Sequence, residues 1–257
     1  MFGWFRPTCP CDPAAKAWVE ERLQWLVEEF DDTCFSDRHV MLPTPEFFPD
    51  PYDGSKKAVR TLLDRVCEYM GVLPDLVALK LVADAGQIWL VNDAGHYLPH
   101  AAGTYSEGSR KFIIRIDRTE LDNPMGLVGT MAHELAHARL LGEGRIMHDV
   151  YDNELLTDLT TVAFGLGVFL ANTPRNWDSQ LGRWPDSDLR KPEYMTPPMF
   201  GYALAHLAWF WEESKPEWAP YLNGAARGEF KQAVRFLEQT ADSAFKPRRL
   251  RPRTEKS

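Results

Sequence analysis

Apolar positions in the first seventy residues recur with a helical period. From Pro13 onward, Ala17, Trp18, Leu23, Trp25, Leu26 and Phe30 fall at mostly helical spacing with acids between them, which predicts an amphipathic helix. Val59, Leu62, Leu63, Val66, Tyr69 and Met70 repeat the pattern, and Gly71 and Pro74 stop it, so a second helix is expected there. Between these helices, Leu42 to Ser55 contains four prolines within nine residues. Each proline restricts the residue before it to extended conformations, so this stretch is expected to run as an irregular strap across the surface.

From Leu76 the period shortens. "LVALKLVADAGQIWLV" reads as two strands turning at Asp84 to Gly86, and "AAGTYSEGSRKFIIRID" as two more turning near Gly108. Phe112, Ile114 and Ile116 alternate with Ile113, Arg115 and Asp117, giving one apolar face and one mixed face, as for a strand bordering a cleft. A helix then opens with Asn123 as N-cap and Pro124 at its first position, and Gly142 lies just past its end. "YDNELLTDLTTVAFGLGVFLAN" predicts another, begun by Asp149 or Asp152. After a second proline-rich loop, Asn172 to Pro198, the runs "MFGYALAHLAWFWEE" and "GEFKQAVRFLEQTA" predict two further helices.

The predicted class is therefore α+β. A small antiparallel or mixed sheet is followed by two central helices, with helices before it and a helical part after it. No internal repeat and no linker divides the core. The expected organisation is an N-terminal helical extension with its strap over 1–75, a main domain over 76–245 and a basic tail over 246–257.

The chain has 257 residues, 44% of them hydrophobic, which is ample for a packed interior. A net charge of −8 offers no basic surface excess of the kind nucleic acid or anionic lipid requires, so neither is an expected partner. The tail "KPRRLRPRTEKS" sets six basic residues against one acid and reads as a solvated end. No apolar run reaches the roughly 18 residues of a membrane span, and no basic start followed by a long apolar segment opens the chain. Cys9, Cys11, Cys34 and Cys67 lie in the first quarter of a chain long enough to fold without staples, which suits a reducing compartment. A cytoplasmic address is the expectation.

The candidate chemistry is concentrated in "TMAHELAHARLL". On a helix, residues four apart share a face, so His133 and His137 can both reach one ion through their imidazole nitrogens. Glu134, rotated by one residue, lies at the rim of that face, placed to take a proton from a water that the ion polarises. Gly126, Gly129 and Thr130 on the same stripe are expected to leave room above the site, with Val128, Met131, Ala132, Leu135 and Ala136 on the buried flanks. Two histidines leave a catalytic ion one ligand short. Glu154, in "NELLTD", supplies the third, and Asp158, one turn later, can accept the second ring N–H of a ligating histidine.

This combination of HExxH with a following ExxxD resembles the gluzincin clan of thermolysin-like zinc metallopeptidases. The resemblance covers roughly Lys80 to Asn172 and includes "AGTY" and "KFIIRID". It implies Zn2+ held by His133, His137 and Glu154, Glu134 as general base and Asp158 as supporting acceptor. It also implies a Tyr or His donor to the oxyanion; Tyr202 and His206, four residues apart, are the candidates, with His148 a weaker one. A protein or peptide substrate is expected to lie along the Lys111 to Asp117 strand as an edge partner. The aminopeptidase element that holds a free amino terminus is missing, which points to an endopeptidase. In a cytoplasm such an enzyme needs restraint, through narrow specificity, a regulatory protein partner, the proline-rich segments, or a Cys9 or Cys11 thiolate occupying the open zinc position. The alternative is a regulatory or binding protein on the same fold, acting through one dedicated partner.

Overall fold

In a computed structural model the chain is described over residues 7–30, 39–83, 90–91, 97–98, 103–107, 112–173 and 180–245. The architecture is α+β. Helix α1, Pro13–Glu29, starts where Asp12 accepts the N–H groups of Ala14 and Ala15, both at 2.9 Å. Helix α2, Lys56–Met70, is capped by Ser55 and ends at Gly71, whose φ of +68° is a conformation glycine adopts freely. The strap between them has no regular structure and is stitched to the body by its own rings. Tyr52 donates to the Leu121 carbonyl at 2.9 Å, and Phe48 packs edge-on to Phe169 with centroids 5.4 Å apart.

The sheet holds three strands in the order β1 (Val77–Val82), β5 (Phe112–Asp117), β4 (Gly103–Glu107). β4 and β5 pair antiparallel, with Tyr105 opposite Ile114, as the second hairpin required. β1 differs from expectation: it runs parallel to β5, with Leu79 opposite Ile114, while the two-residue strands β2 (Leu90–Val91) and β3 (Tyr97–Leu98) pair with each other. The turns expected at Asp84 to Gly86 and near Gly108 lie outside the described residues. β5 is therefore the central strand, paired on both sides over 112–117, so a peptide cannot pair along it; Lys111 lies outside the described residues, among which β1 and β4 are the two edge strands of this sheet.

Helix α3, Pro124–His137, follows β5 and a short 3-10 turn. Asn123 caps it by accepting from Gly126 N–H at 3.0 Å. After His137 the backbone continues as one π turn over Ala138–Gly142. The single helix expected next is two, α4 (Asn153–Ala163) and α5 (Gly167–Asn172). The break falls at Gly165, with φ of +85°, where a Cβ would sit 2.4 Å from the His39 carbonyl oxygen; only glycine lets the chain leading into the strap pass there. The second proline-rich segment contains a hairpin, β6 (Gln180–Arg183) with β7 (Arg190–Pro192), and Trp184 beside it is buried. Helices α6, Pro197–Phe210, and α7, Gly224–Thr240, then pack together so closely that a Cβ on Gly201 would lie 2.6 Å from the Phe230 nitrogen.

One apolar cluster joins residues from α1 to α7. α1 packs on α4 and α6, so it contributes to the same interior as the central helices. Among the described residues no helix is long and apolar enough to cross a membrane.

Candidate metal centre

α3 is buried from Gly126 to His137, so its polar groups must find partners inside the protein. His133, Glu134 and His137 retain exposures of only 7%, 4% and 8%. Gly126 and Gly129 do not open space above them. A Cβ on Gly126 would strike the Asn123 cap at 2.4 Å, and one on Gly129 would press on Thr173 Oγ1 at 3.1 Å, so the glycines serve the cap and the approach of α5.

α4 crosses α3 and is lined with buried threonines that return their hydroxyl protons to their own helix. Thr157 donates to the Asn153 carbonyl at 2.8 Å, Thr160 to Leu156 at 2.7 Å and Thr161 to Thr157 at 3.1 Å. This is how so polar a stretch can sit in the core. Glu154 in its first turn and Asp158 one turn on meet the two histidines of α3. Asp158 Oδ1 lies 2.9 Å from His133 Nδ1, and Thr157 Oγ1 lies 3.2 Å from His137 Nδ1. The Thr157 proton is spent on Asn153, so its oxygen accepts from His137, as Asp158 accepts from His133. Both rings are thereby held through Nδ1–H and turn Nε2 toward Glu154, where that nitrogen donates to the carboxylate when protonated and offers its lone pair to an ion when not.

Glu154 Oε2 lies 3.1 Å from His133 Nε2 and 3.5 Å from His137 Nε2. All three atoms fall within 4.8 Å of one another. Four-coordinate zinc with ligand bonds of about 2.0–2.1 Å separates its ligands by roughly 3.3–3.4 Å, so the two spacings from Glu154 to the histidines are close to those of such an ion, while the group as a whole spans up to 4.8 Å. Electrostatics agrees with the geometry. Burial alone pushes the Glu154 carboxyl up, but the charge of His137 and hydrogen bonds from both histidines outweigh it and hold the group well below the usual carboxylate range. An anion and two inward-facing imidazole nitrogens together call for positive charge at their centre. No other group of three His, Cys, Asp or Glu side chains is so disposed among the described residues.

Two neighbours of the cluster carried no readable signal in the sequence. Thr157 stands one turn after Glu154 inside "NELLTD", where it looks like an ordinary helix position. Tyr194 lies beyond β7, and its ring centroid is 6.0 Å from that of His133. It is placed there because the second oxygen of Asp158 accepts the Met195 N–H at 3.0 Å, docking this segment on α4.

Tyr202 and His206 are committed elsewhere. The Tyr202 hydroxyl donates to Glu20 of α1, and its phenol is pushed up by burial and by that bond. His206 donates from Nδ1 to the Tyr202 carbonyl at 3.0 Å and accepts the Ser243 hydroxyl at Nε2, 2.9 Å away. Burial lowers this histidine to about 4, against the opposing pull of the Tyr202 carbonyl. Both residues are fully buried structural members of the α6 core, which corrects their assignment as oxyanion donors. Cys9, Cys11 and His148 are likewise outside the three-residue cluster, and Cys34 and the basic tail fall outside the described residues. Compared with protein-family models, with curated proteins and with solved structures, the chain matches none of them.

Proposed function

We propose that this chain is a zinc-dependent metallopeptidase of gluzincin type, cleaving peptide bonds of a restricted protein substrate in the cytoplasm. The observation that carries the reading is the convergence of His133, His137 and Glu154, with each histidine's Nδ1–H anchored by a residue of α4. Chance placement of two histidines on a helix does not supply a matched acceptor for each ring. A ligand set of two histidines and one carboxylate leaves a fourth position open, as catalytic zinc requires and structural zinc does not.

Zinc, when bound, would supply Lewis-acid polarisation of the scissile carbonyl and of the attacking water. The chain's own residues do the rest. Glu134, buried one residue on from His133, accepts the water's proton at its carboxylate and returns it to the amine nitrogen as the C–N bond breaks. Tyr194 replaces Tyr202 and His206 as the hydroxyl that stabilises the oxyanion, since its ring lies against His133. β4, an edge strand among the described residues and packed beside α3, is where an extended substrate adds as a further strand.

The test is a comparison of newly formed protein termini in cells expressing the wild type or Glu134→Gln. The amide keeps the shape of the side chain and removes the base, so termini present with the wild type should vanish with the variant. Identical termini in both would sink the hydrolytic reading.

A further inference from the structure

The N-terminal helix reaches the metal centre through a residue that neither binds metal nor caps its own helix. Asp152 stands at the N-cap position of α4, two residues before Glu154, yet its side chain makes no capping bond. Its carboxylate is buried and turned toward α1. Trp18 Nε1 donates to Oδ2 at 2.7 Å, Arg22 Nε donates to the same oxygen at 2.6 Å, and Arg22 Nη2 donates to Oδ1 at 3.1 Å. The loop leading into α4 is tied to the far end of the same helix, where Arg145 Nη1 donates to the Glu29 carbonyl at 2.8 Å and to its carboxylate at 2.9 Å.

We propose that Trp18 and Arg22 are positioning residues of the metal centre, clamping Asp152 so that the first turn of α4 presents Glu154 to His133 and His137. The inference rests on the metal reading above. First turns of helices fray, and α4 lacks the side-chain cap that normally prevents it. Metal ligands, by contrast, must be held to within about 0.2 Å. A two-pronged guanidinium bond plus an indole N–H replaces the cap with a fixed external anchor. On this view α1 is part of the site's framework, which gives a reason for its burial in the common core.

The test measures zinc affinity of the full chain by competition with a chromophoric chelator, beside thermal unfolding of the zinc-free protein. Arg22→Lys keeps the charge but loses the fork, and Trp18→Phe keeps a ring in the core but loses the N–H. Each should weaken zinc roughly ten-fold, in line with loss of an outer support. Amide hydrogen exchange over 153–157 in the zinc-free protein should quicken in both. Phe230→Leu, in the α6–α7 interface, is the control: it lowers the unfolding midpoint and should leave zinc affinity unchanged. If Arg22→Lys fails to fold, Trp18→Phe alone decides. Clamp variants that bind zinc as tightly as wild type, or a control that weakens zinc as much as they do, overturn the clamp alone. A wild-type chain that takes up no zinc overturns the metal reading and the clamp with it.

Discussion

Asp158→Ala removes one carboxylate on which two buried donors depend. His133 Nδ1 is 2.9 Å from one of its oxygens and the Met195 N–H is 3.0 Å from the other, and Asp158 is 0% exposed. Alanine offers neither an acceptor, and the site is too enclosed for easy rehydration. Leaving a buried donor unsatisfied costs about 1–3 kcal/mol, so two give about 2–6 kcal/mol against a total stability of about 5–15 kcal/mol. Without its Nδ1 acceptor the His133 ring is also free to take the other tautomer or turn, so zinc affinity should fall by about 10- to 100-fold. Asp158→Asn should fall between, because its single oxygen can serve only one of the two donors. The assay pairs chelator competition for zinc with denaturant unfolding of the zinc-free protein, which separates ring orientation from bulk stability. An alanine variant with wild-type zinc affinity and an unchanged unfolding midpoint would refute the reasoning, since it would mean that neither bond matters.

Three further outcomes follow from the same coordinates. His206 sits at about 4 when folded against an ordinary 6.5, so the unfolded chain binds the extra proton between these values. Its contribution is complete above the ordinary value and is lost as pH falls toward 4, about 3 kcal/mol in all, and His206→Gln should flatten that part of a stability-versus-pH profile; an unchanged slope would count against it. Gly201→Ala should lower stability by about 1–3 kcal/mol in thermal unfolding, because the added Cβ meets the Phe230 nitrogen at 2.6 Å and main chain yields poorly; a neutral result would mean that α7 shifts freely. Tyr194→Phe should reduce kcat by about 100-fold with zinc affinity unchanged, and equal kcat in the two proteins would remove Tyr194 from the chemistry.

How much of this was legible in the sequence depends on how local each determinant is. Helix boundaries set by neighbours were readable: Asn123 with Pro124 at the start of α3, and Gly71, a left-handed cap, at the end of α2. The convergence of His133, His137 and Glu154 was readable too, because its spacing is internal to two helices, and Asp158 does lie beside His133. What failed was long range. The parallel pairing of β1 with β5 joins residues 35 positions apart, and no turn marks it. The break at Gly165 is imposed by the His39 carbonyl, far away in sequence. Tyr202 and His206 carry helical spacing and suitable chemistry, but Glu20 and Ser243, distant in the chain, decide that they are core. Tyr194 was passed over for the converse reason, since a bond distant in sequence, from Met195 to Asp158, docks its segment near His133.

The central claim, that His133, His137 and Glu154 hold a catalytic metal ion, is tested most directly by elemental analysis of the purified full-length chain and of its His137→Ala and Glu154→Gln variants. One zinc per wild-type chain, with clear loss in both variants while each remains folded, is the expected result. Wild-type protein without stoichiometric metal after growth in zinc, or variants that keep the same metal content, would contradict the account.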